Sequence, residues 1–308
     1  MAVLDLFSGA GGFSLGFKEA GFEILAGVEK EEVYADTFQN NIKAECFTFD
    51  LSKQPKIPVD YNNVDVLIGG PPCQGFSLNG NRDENDERNS LISVFLDYVG
   101  AIEPQTVVIE NVEGIKSLGE EFKIIQDKLK DYGYFLDYYQ LDSSKYNIPQ
   151  TRKRMIVIAD KKHIPNRPIQ SSKNPKVKGF IYDIDEDHPN HEVPNQDDDT
   201  IQRIAQTNQG EALYEDYNQR IRLDENDLAP TLVCGGPRPQ PQLAHPTQNR
   251  GLTVHERARL QTFPKSYIFS GGKVDGRVQT GNAVPPNLSK SVAKTVKNMP
   301  ENKGVFDY

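Results

Sequence analysis

Val3-Leu4-Asp5-Leu6-Phe7-Ser8-Gly9-Ala10-Gly11-Gly12-Phe13 opens this chain and decides its fold. Residues 3–7 read as a short apolar strand, and the glycines after it lead into a helical pattern around Leu15-Gly16-Phe17. Glycines in a strand-to-helix turn let the backbone approach a ligand closely and leave helix N–H groups free to donate. A second strand, Glu23 to Val28, ends in Glu29, twenty residues after Gly9. A nucleotide-binding α/β unit places an acid at that spacing to accept hydrogen bonds from ribose hydroxyls. Asp50 follows a third strand, Glu45 to Phe49, and is a candidate for an adenine amino group.

Working outward, the apolar run Val64-Asp65-Val66-Leu67-Ile68 reads as a buried strand closed by Gly69-Gly70. Pro71-Pro72-Cys73-Gln74-Gly75 comes directly after it. A cysteine on a rigid mount at the carboxyl end of a parallel strand is a candidate nucleophile. Taken alone, a cysteine is more often a small buried filler; the motifs around Cys73 reverse that reading. Val107-Val108-Ile109-Glu110-Asn111-Val112 brings a carboxylate to the mouth of the same sheet. Beside apolar walls, such an acid tends to hold a proton to donate. Gln150-Thr151-Arg152-Lys153-Arg154 then precedes the strand Met155–Ile158. From residue 145 to 167 there are seven Lys/Arg and one acid, in a chain of net charge −9. That local inversion points to a polyanion at this surface.

These blocks, in this order, resemble the DNA cytosine-5 methyltransferase family. Residues 5–13 look like its cofactor loop, 69–77 its catalytic loop, 110–112 its acid motif and 150–154 its arginine motif. Leu252 to Pro264 and Gly281 to Leu288 are similar to its last two blocks. The resemblance runs from residue 3 to about 296, with a gap from roughly 165 to 228. It implies S-adenosylmethionine as cofactor, held by Phe7, Gly9, Ala10, Gly12, Glu29, Asp50, Pro72, Leu91, Asn282 and Ala283. It implies double-stranded DNA as substrate, with the target cytosine rotated out of the stack. Cys73 then adds to C6, Glu110 assists at N3, Asn111 and Gln74 fix the site, and Arg152 and Arg154 contact the base carbonyl, the thiol region and the phosphate. Two alternatives stay open on the same fold. One is an RNA (tRNA) cytosine-5 methyltransferase, whose branch carries a C-F-T signature in the second lobe, where this chain has none. The other is a catalytically inactive DNA-binding regulator, a class that loses the nucleophile or the acid.

The expected architecture is α/β, a doubly wound mostly parallel sheet of the Rossmann-like methyltransferase type with a smaller target-recognition domain. Residues 1–162 plus 281–299 form the catalytic and cofactor-binding domain, 163–280 the target-recognition domain, and 300–308 a loose tail. Pro285-Pro286 marks the start of a returning helix, and DNA is expected in the cleft between lobes. The segment Phe76 to Asn89 reads as a loop closing over the flipped base, with Ser77, Asn79 and Arg88 as DNA contacts. Residues 228–255 hold no Asp or Glu and are rich in Gly, Pro and Gln. Arg and Gln make bidentate contacts to guanine and adenine edges, so Arg238, Gln240 and Gln242 are expected to read bases, supported by Arg220 and Arg222. The acid-rich stretch 183–199 is expected to face away from phosphates.

The three cysteines, Cys46, Cys73 and Cys234, are far apart, so neither a zinc site nor a disulfide framework is expected. His188-Pro189-Asn190-His191 lacks partner cysteines, and no metal is assigned. Mean hydropathy of −0.60 and the absence of a spanning run argue against a membrane. With the first strand starting at residue 3, neither a signal peptide nor an N-terminal regulatory domain is expected. The reading is a minimal, cytoplasmic, monomeric modification enzyme, with a cognate restriction endonuclease as a possible functional partner.

Overall fold

The computed structural model of the chain describes residues 1–72, 90–112, 120–215, 220–234 and 241–301. Cys73, Gln74, Ser77, Asn79, Arg88, Arg238 and Gln240 lie outside the described residues. Contacts divide the chain into two units. One comprises Met1–Leu141, Lys153–Gln170 and Leu288–Tyr308; the other comprises Asp142–Arg152 and Ser171–Asn287.

The first unit is built on strands β1 (Ala2–Leu6), β2 (Glu23–Glu29), β3 (Glu45–Thr48), β4 (Val66–Gly69), β5 (Thr106–Val112), β6 (Phe135–Asp142) and β7 (Lys153–Asp160). Their order in the sheet is β3-β2-β1-β4-β5-β7-β6. The pairs β1–β2, β1–β4, β2–β3 and β4–β5 are parallel, and β7 runs antiparallel to β5. This is the expected α/β fold with a mostly parallel sheet. Helices α1 (Gly12–Glu19), α2 (Glu32–Ile42), α3 (Ser90–Ile102) and α4 (Glu120–Asp131) alternate with the strands. Val3, Leu4, Leu6, Val66, Leu67, Ile68, Val107 and Val108 are all fully buried. Parallel strands covered on both faces need such continuous apolar runs.

The chain leaves β1 toward β2 on one side, while β4 joins β1 on the other. That reversal of strand order is where open α/β sheets bind ligands, outside the carboxyl ends of the strands. Leu6 pairs with Gly69 across it, so the glycine turn after β1 and the Gly70-Pro71-Pro72 segment after β4 emerge side by side. Gly69 is required by crowding, because a Cβ there would stand 2.5 Å from the Leu6 carbonyl oxygen and 2.7 Å from the Phe95 ring.

Asp5 sits inside this sheet and accepts a 2.6 Å hydrogen bond from Ser14 Oγ. Burial pushes its carboxyl up to about 7, against the lowering effect of that bond. The folded protein thus keeps a proton that an unfolded carboxyl gives up near pH 4. The stability from this group is complete below about pH 4 and is lost as pH rises to about 7. The free-energy difference between wild type and Asp5→Asn should fall across that window by at most about 4 kcal/mol. Urea titrations of both proteins from pH 4 to 8 test this; parallel curves would remove Asp5 as the cause.

The second unit contains α5 (Lys178–Ile181), α6 (Asp198–Gln206), the two-stranded parallel sheet β8 (Ile221–Arg222) with β9 (Leu243–Ala244), α7 (Val254–Leu260) and α8 (Lys273–Asn282). Its core gathers Val177, Ile181, Leu223, Ala229, Leu232, Leu243, Leu252 and Leu260. The sequence Thr253-x-x-Glu256 forms a capping box at the start of α7. Arg250 clamps the buried Glu256 carboxylate with bonds of 2.8 and 2.6 Å. Burial raises that carboxyl, but the Arg250 bonds and charge outweigh it and hold it below its ordinary value. Arg250→Ala leaves a buried carboxylate without its cation, and a loss of about 3–5 kcal/mol is expected. Chemical denaturation measures it, and a loss under about 1 kcal/mol would mean that the clamp is replaced by solvent.

Helix α9 (Pro286–Lys297) begins at the proline pair, as the sequence reading expects. Within the first unit, Ser289 packs on α1 at Gly16, where a Cβ would come within 2.4 Å of Ser289 Oγ. Among the described residues, no helix is long and apolar enough to cross a membrane.

Candidate active site

In the first unit the glycine turn is shaped by backbone conformation. Phe7, Gly9 and Gly11 all adopt positive φ, at 59°, 52° and 82°. A Cβ on Gly9 would meet no atom within 4 Å, so the turn faces open space. Ala10 and Gly12 are buried beneath it, and Phe7 is half-buried against the sheet core. Glu29 stands at the end of β2. Its Oε2 accepts from Gly9 N–H at 2.9 Å, and its Oε1 accepts from the N–H groups of Lys30 and Glu31 at 2.8 and 2.9 Å. Burial raises the Glu29 carboxyl, and these three bonds oppose the rise. A carboxylate has about four lone-pair sites, so Glu29 holds the turn and retains capacity for one hydroxyl. Asp50 is more open. It accepts from Ser52 N–H at 3.1 Å and Ser52 Oγ at 2.6 Å, with Lys30 at 3.9 Å. The Ser52 hydroxyl bond holds its carboxyl below the ordinary range. Pro72 and Leu91 are half-buried.

The acid motif, the arginine motif and the start of the Pro-Pro-Cys segment come together at the end of β4 and β5. Arg154 Nε donates to Glu110 Oε1 at 2.9 Å, with both side chains largely shielded. A second donor of the same guanidinium reaches the Lys153 carbonyl at 2.7 Å. The antiparallel register produces this pair. Glu110 lies opposite Ile156, and Arg154 lies two residues along on the same face, at the diagonal position long side chains bridge. Glu110 Oε2 stands 3.2 Å from the point a Cβ on Gly70 would occupy. Asn111 Nδ2 donates to the Pro71 carbonyl at 3.2 Å. Acid and amide thus brace the backbone two residues before Cys73. Cys46, by contrast, is buried beside Ser8 Oγ at 3.6 Å, and burial pushes its thiol up to about 12. It is a thiol at neutral pH and no nucleophile.

Arg152 serves the second unit. It is 1% exposed and donates to the carbonyls of Leu232, Gly281 and Ala283 at 2.9, 2.9 and 3.2 Å. Gly281 itself touches the Val233-Cys234 backbone, where a Cβ would stand 2.5 Å from Cys234 N. Asn282 beside it is exposed and Ala283 is buried. Two glutamines whose part the motifs alone did not reveal complete this knot. Gln150 accepts from Leu232 N–H at 2.9 Å and donates to Gln261 Oε1 at 2.9 Å; Gln261 donates to the Thr280 carbonyl at 2.7 Å. Their only sequence signal is membership of the quoted blocks.

Of the expected base readers and their supporting candidates, Arg220, Arg222 and Gln242 are described, and Arg222 is tied up within its own unit. It is buried and bonded to the carbonyls of Pro246, Ile204 and Thr207 at 3.0, 2.6 and 3.2 Å, which closes the unit's own loops. Gln242 donates to the Thr231 carbonyl at 2.8 Å and accepts from Val233 N–H at 3.1 Å. Arg220 lies over the Tyr214 ring at 5.5 Å, with Arg203 at 4.8 Å from the same ring. The His188 and His255 ring centroids lie 3.7 Å apart, the planes tilted by 32°. Among the described residues, no group of three His, Cys, Asp or Glu side chains is placed to hold a metal ion.

Comparison with known proteins matches residues 1–298 to the family described as C-5 cytosine-specific DNA methylase. The type II methyltransferase M.HindV of Haemophilus influenzae is 34% identical, covering 97% of both chains. The type II methyltransferase M.DdeI of Desulfomicrobium norvegicum is 30% identical over 98% of this chain and 90% of its own. A solved E. coli prophage protein, named as a candidate DNA modification methyltransferase, superposes with a TM-score of 0.80 at 26% identity, covering 97% of this chain and 99% of its own.

Proposed function

Because the chain belongs to the C-5 cytosine-specific DNA methylase family, we propose that it methylates one fixed short motif in double-stranded DNA on a cytosine rotated out of the helix. The observation that carries this reading is the cluster of Arg154, Glu110 and Asn111 against Gly70-Pro71, at the sheet's ligand-binding edge. Cytosine C5 is too poor a nucleophile to take a methyl group directly. The Cys73 thiolate adds to C6, electrons move toward N3, and Glu110 delivers or shares a proton there. C5 is then nucleophilic and takes up the methyl group. Loss of the C5 proton to a base re-forms the ring double bond and expels the thiolate. Arg154 holds the Glu110 carboxyl group in place, and Asn111 positions the backbone that leads to the nucleophile.

S-adenosylmethionine, when bound, supplies an electrophilic methyl group. The residues at the β1 turn fit it: the space before Gly9 is open, Gly9 and Gly11 take a positive φ that glycine adopts without strain, and Glu29 has a lone pair to give a ribose hydroxyl. Phe7, Ala10, Gly12, Asp50, Pro72 and Leu91 would complete the contacts, with Asn282 and Ala283 assigned by resemblance. The type II character of the relatives supports a protective role beside a restriction endonuclease of the same specificity.

Bisulfite sequencing of unmethylated genomic DNA after incubation with protein and S-adenosylmethionine tests the reading. Protected cytosines at one fixed motif are expected. A folded, cofactor-binding protein that protected none would move the RNA substrate or an inactive regulator to the front.

A further inference from the structure

A cavity of about 280 Å³ opens in the second unit among the Glu192–Gln196 segment, the Gly251–Val254 turn and the start of α8. Its charged lining is Arg257, Lys273, Arg277 and Glu192. Glu192 already pairs with Lys273 at 2.6 Å. Two guanidinium groups therefore line the cavity with no carboxylate partner among the described residues. Arg257 is buried, held by Thr280 Oγ1 at 3.1 Å and the Val233 carbonyl at 2.8 Å. Burial first, and then the charge of Arg277, lower its pKa to about 9. Arg277 Nε and Gln196 Nε2 are shielded from solvent and meet no acceptor among the described residues. Both residues line the cavity.

A recessed site with surplus positive charge and donors in need of acceptors calls for an anion. We propose that this cavity holds one backbone phosphate of the bound DNA, with Arg277 and Gln196 donating to its oxygens and Arg257 supplying fixed charge behind them. The proposal rests on the reading of the chain as a DNA-modifying enzyme. A phosphodiester satisfies both needs at once, since it carries a full negative charge and its oxygens match the guanidinium fork. A base edge has no net charge and would leave the two arginines repelling each other. Pro241 and Gln242, on the cavity wall, belong to the stretch expected to read bases. A phosphate anchored there would set the register in which such reading takes place.

The test is a salt titration of affinity by fluorescence anisotropy, using a short duplex with the methylated motif and one of unrelated sequence. For Arg277→Gln, the slope of log affinity against log salt should become shallower by about one on both duplexes. Between 50 and 200 mM salt the variant should then lose about 3.5-fold less affinity than wild type does. Arg277→Lys should restore the slope, which separates a charge contact from a folding defect. An unchanged slope in Arg277→Gln overturns the proposal, as does a loss confined to the motif duplex, which would make Arg277 a base reader. Wild-type protein that neither bound nor methylated duplex DNA would instead overturn the DNA reading itself.

Discussion

Cys73→Ser protein should bind duplex DNA and S-adenosylmethionine as wild type does and transfer methyl groups at least on the order of 10³-fold more slowly. Serine preserves size and shape, but its hydroxyl is not ionised near neutral pH, so the addition at C6 that activates C5 is lost. Cys46 offers no substitute, because burial beside the sheet pushes its thiol up to about 12. Transfer of labelled methyl groups, read beside a gel-shift titration, separates the two effects. Turnover within tenfold of wild type would discard the covalent mechanism. Loss of DNA binding together with turnover would show that Cys73 shapes the loop instead.

Glu110→Gln carries the second large effect. The amide keeps an oxygen to accept from Arg154 Nε, now 2.9 Å from the carboxylate, so the local structure should persist. What disappears is the proton exchanged with N3, and general acid–base assistance contributes about 10²–10⁴-fold. A fall of that size in kcat, with little change in KM for DNA, is expected. Arg154→Ala should also lower kcat, since Glu110 then loses the group that aims it. The double variant should be no slower than the worse single one, because residues acting as a unit are non-additive. Single-turnover rates on one duplex decide the matter. Independent, multiplying losses would separate Arg154 from Glu110 in function.

Much of this site could be read along the chain. The glycine turn after β1 was visible because positive φ at Gly9 and Gly11 is a local demand that restricts residue type. Glu29 was visible because its distance from the turn is set by one helix and one strand. The start of the returning helix was marked by the proline pair at 285–286. Arginines were the hardest to place. Arg154 pairs with an acid, while Arg152, two residues earlier, is spent on three carbonyls inside the second unit. Arg222 looked like a base reader and holds loops together. A guanidinium is charged wherever it goes, so its composition says nothing about which five-donor arrangement absorbs it.

The sequence by itself determined the strand-turn-helix frame, the place of Cys73 after β4, the acid at the end of β2 and the family, since each depends on neighbours along the chain. Only the tertiary structure decided that β7 runs antiparallel beside β5, bringing Arg154 diagonally onto Glu110, and that Gly70 and Pro71 rest against Glu110 and Asn111. It also decided that residues 142–152 fold with the second unit, because Gln150 and Arg152 find their hydrogen-bond partners near Leu232. The physical reason is common to all three. Strand register and the satisfaction of buried polar groups are settled between segments far apart in the chain, and local periodicity holds no record of which partner a buried donor will meet.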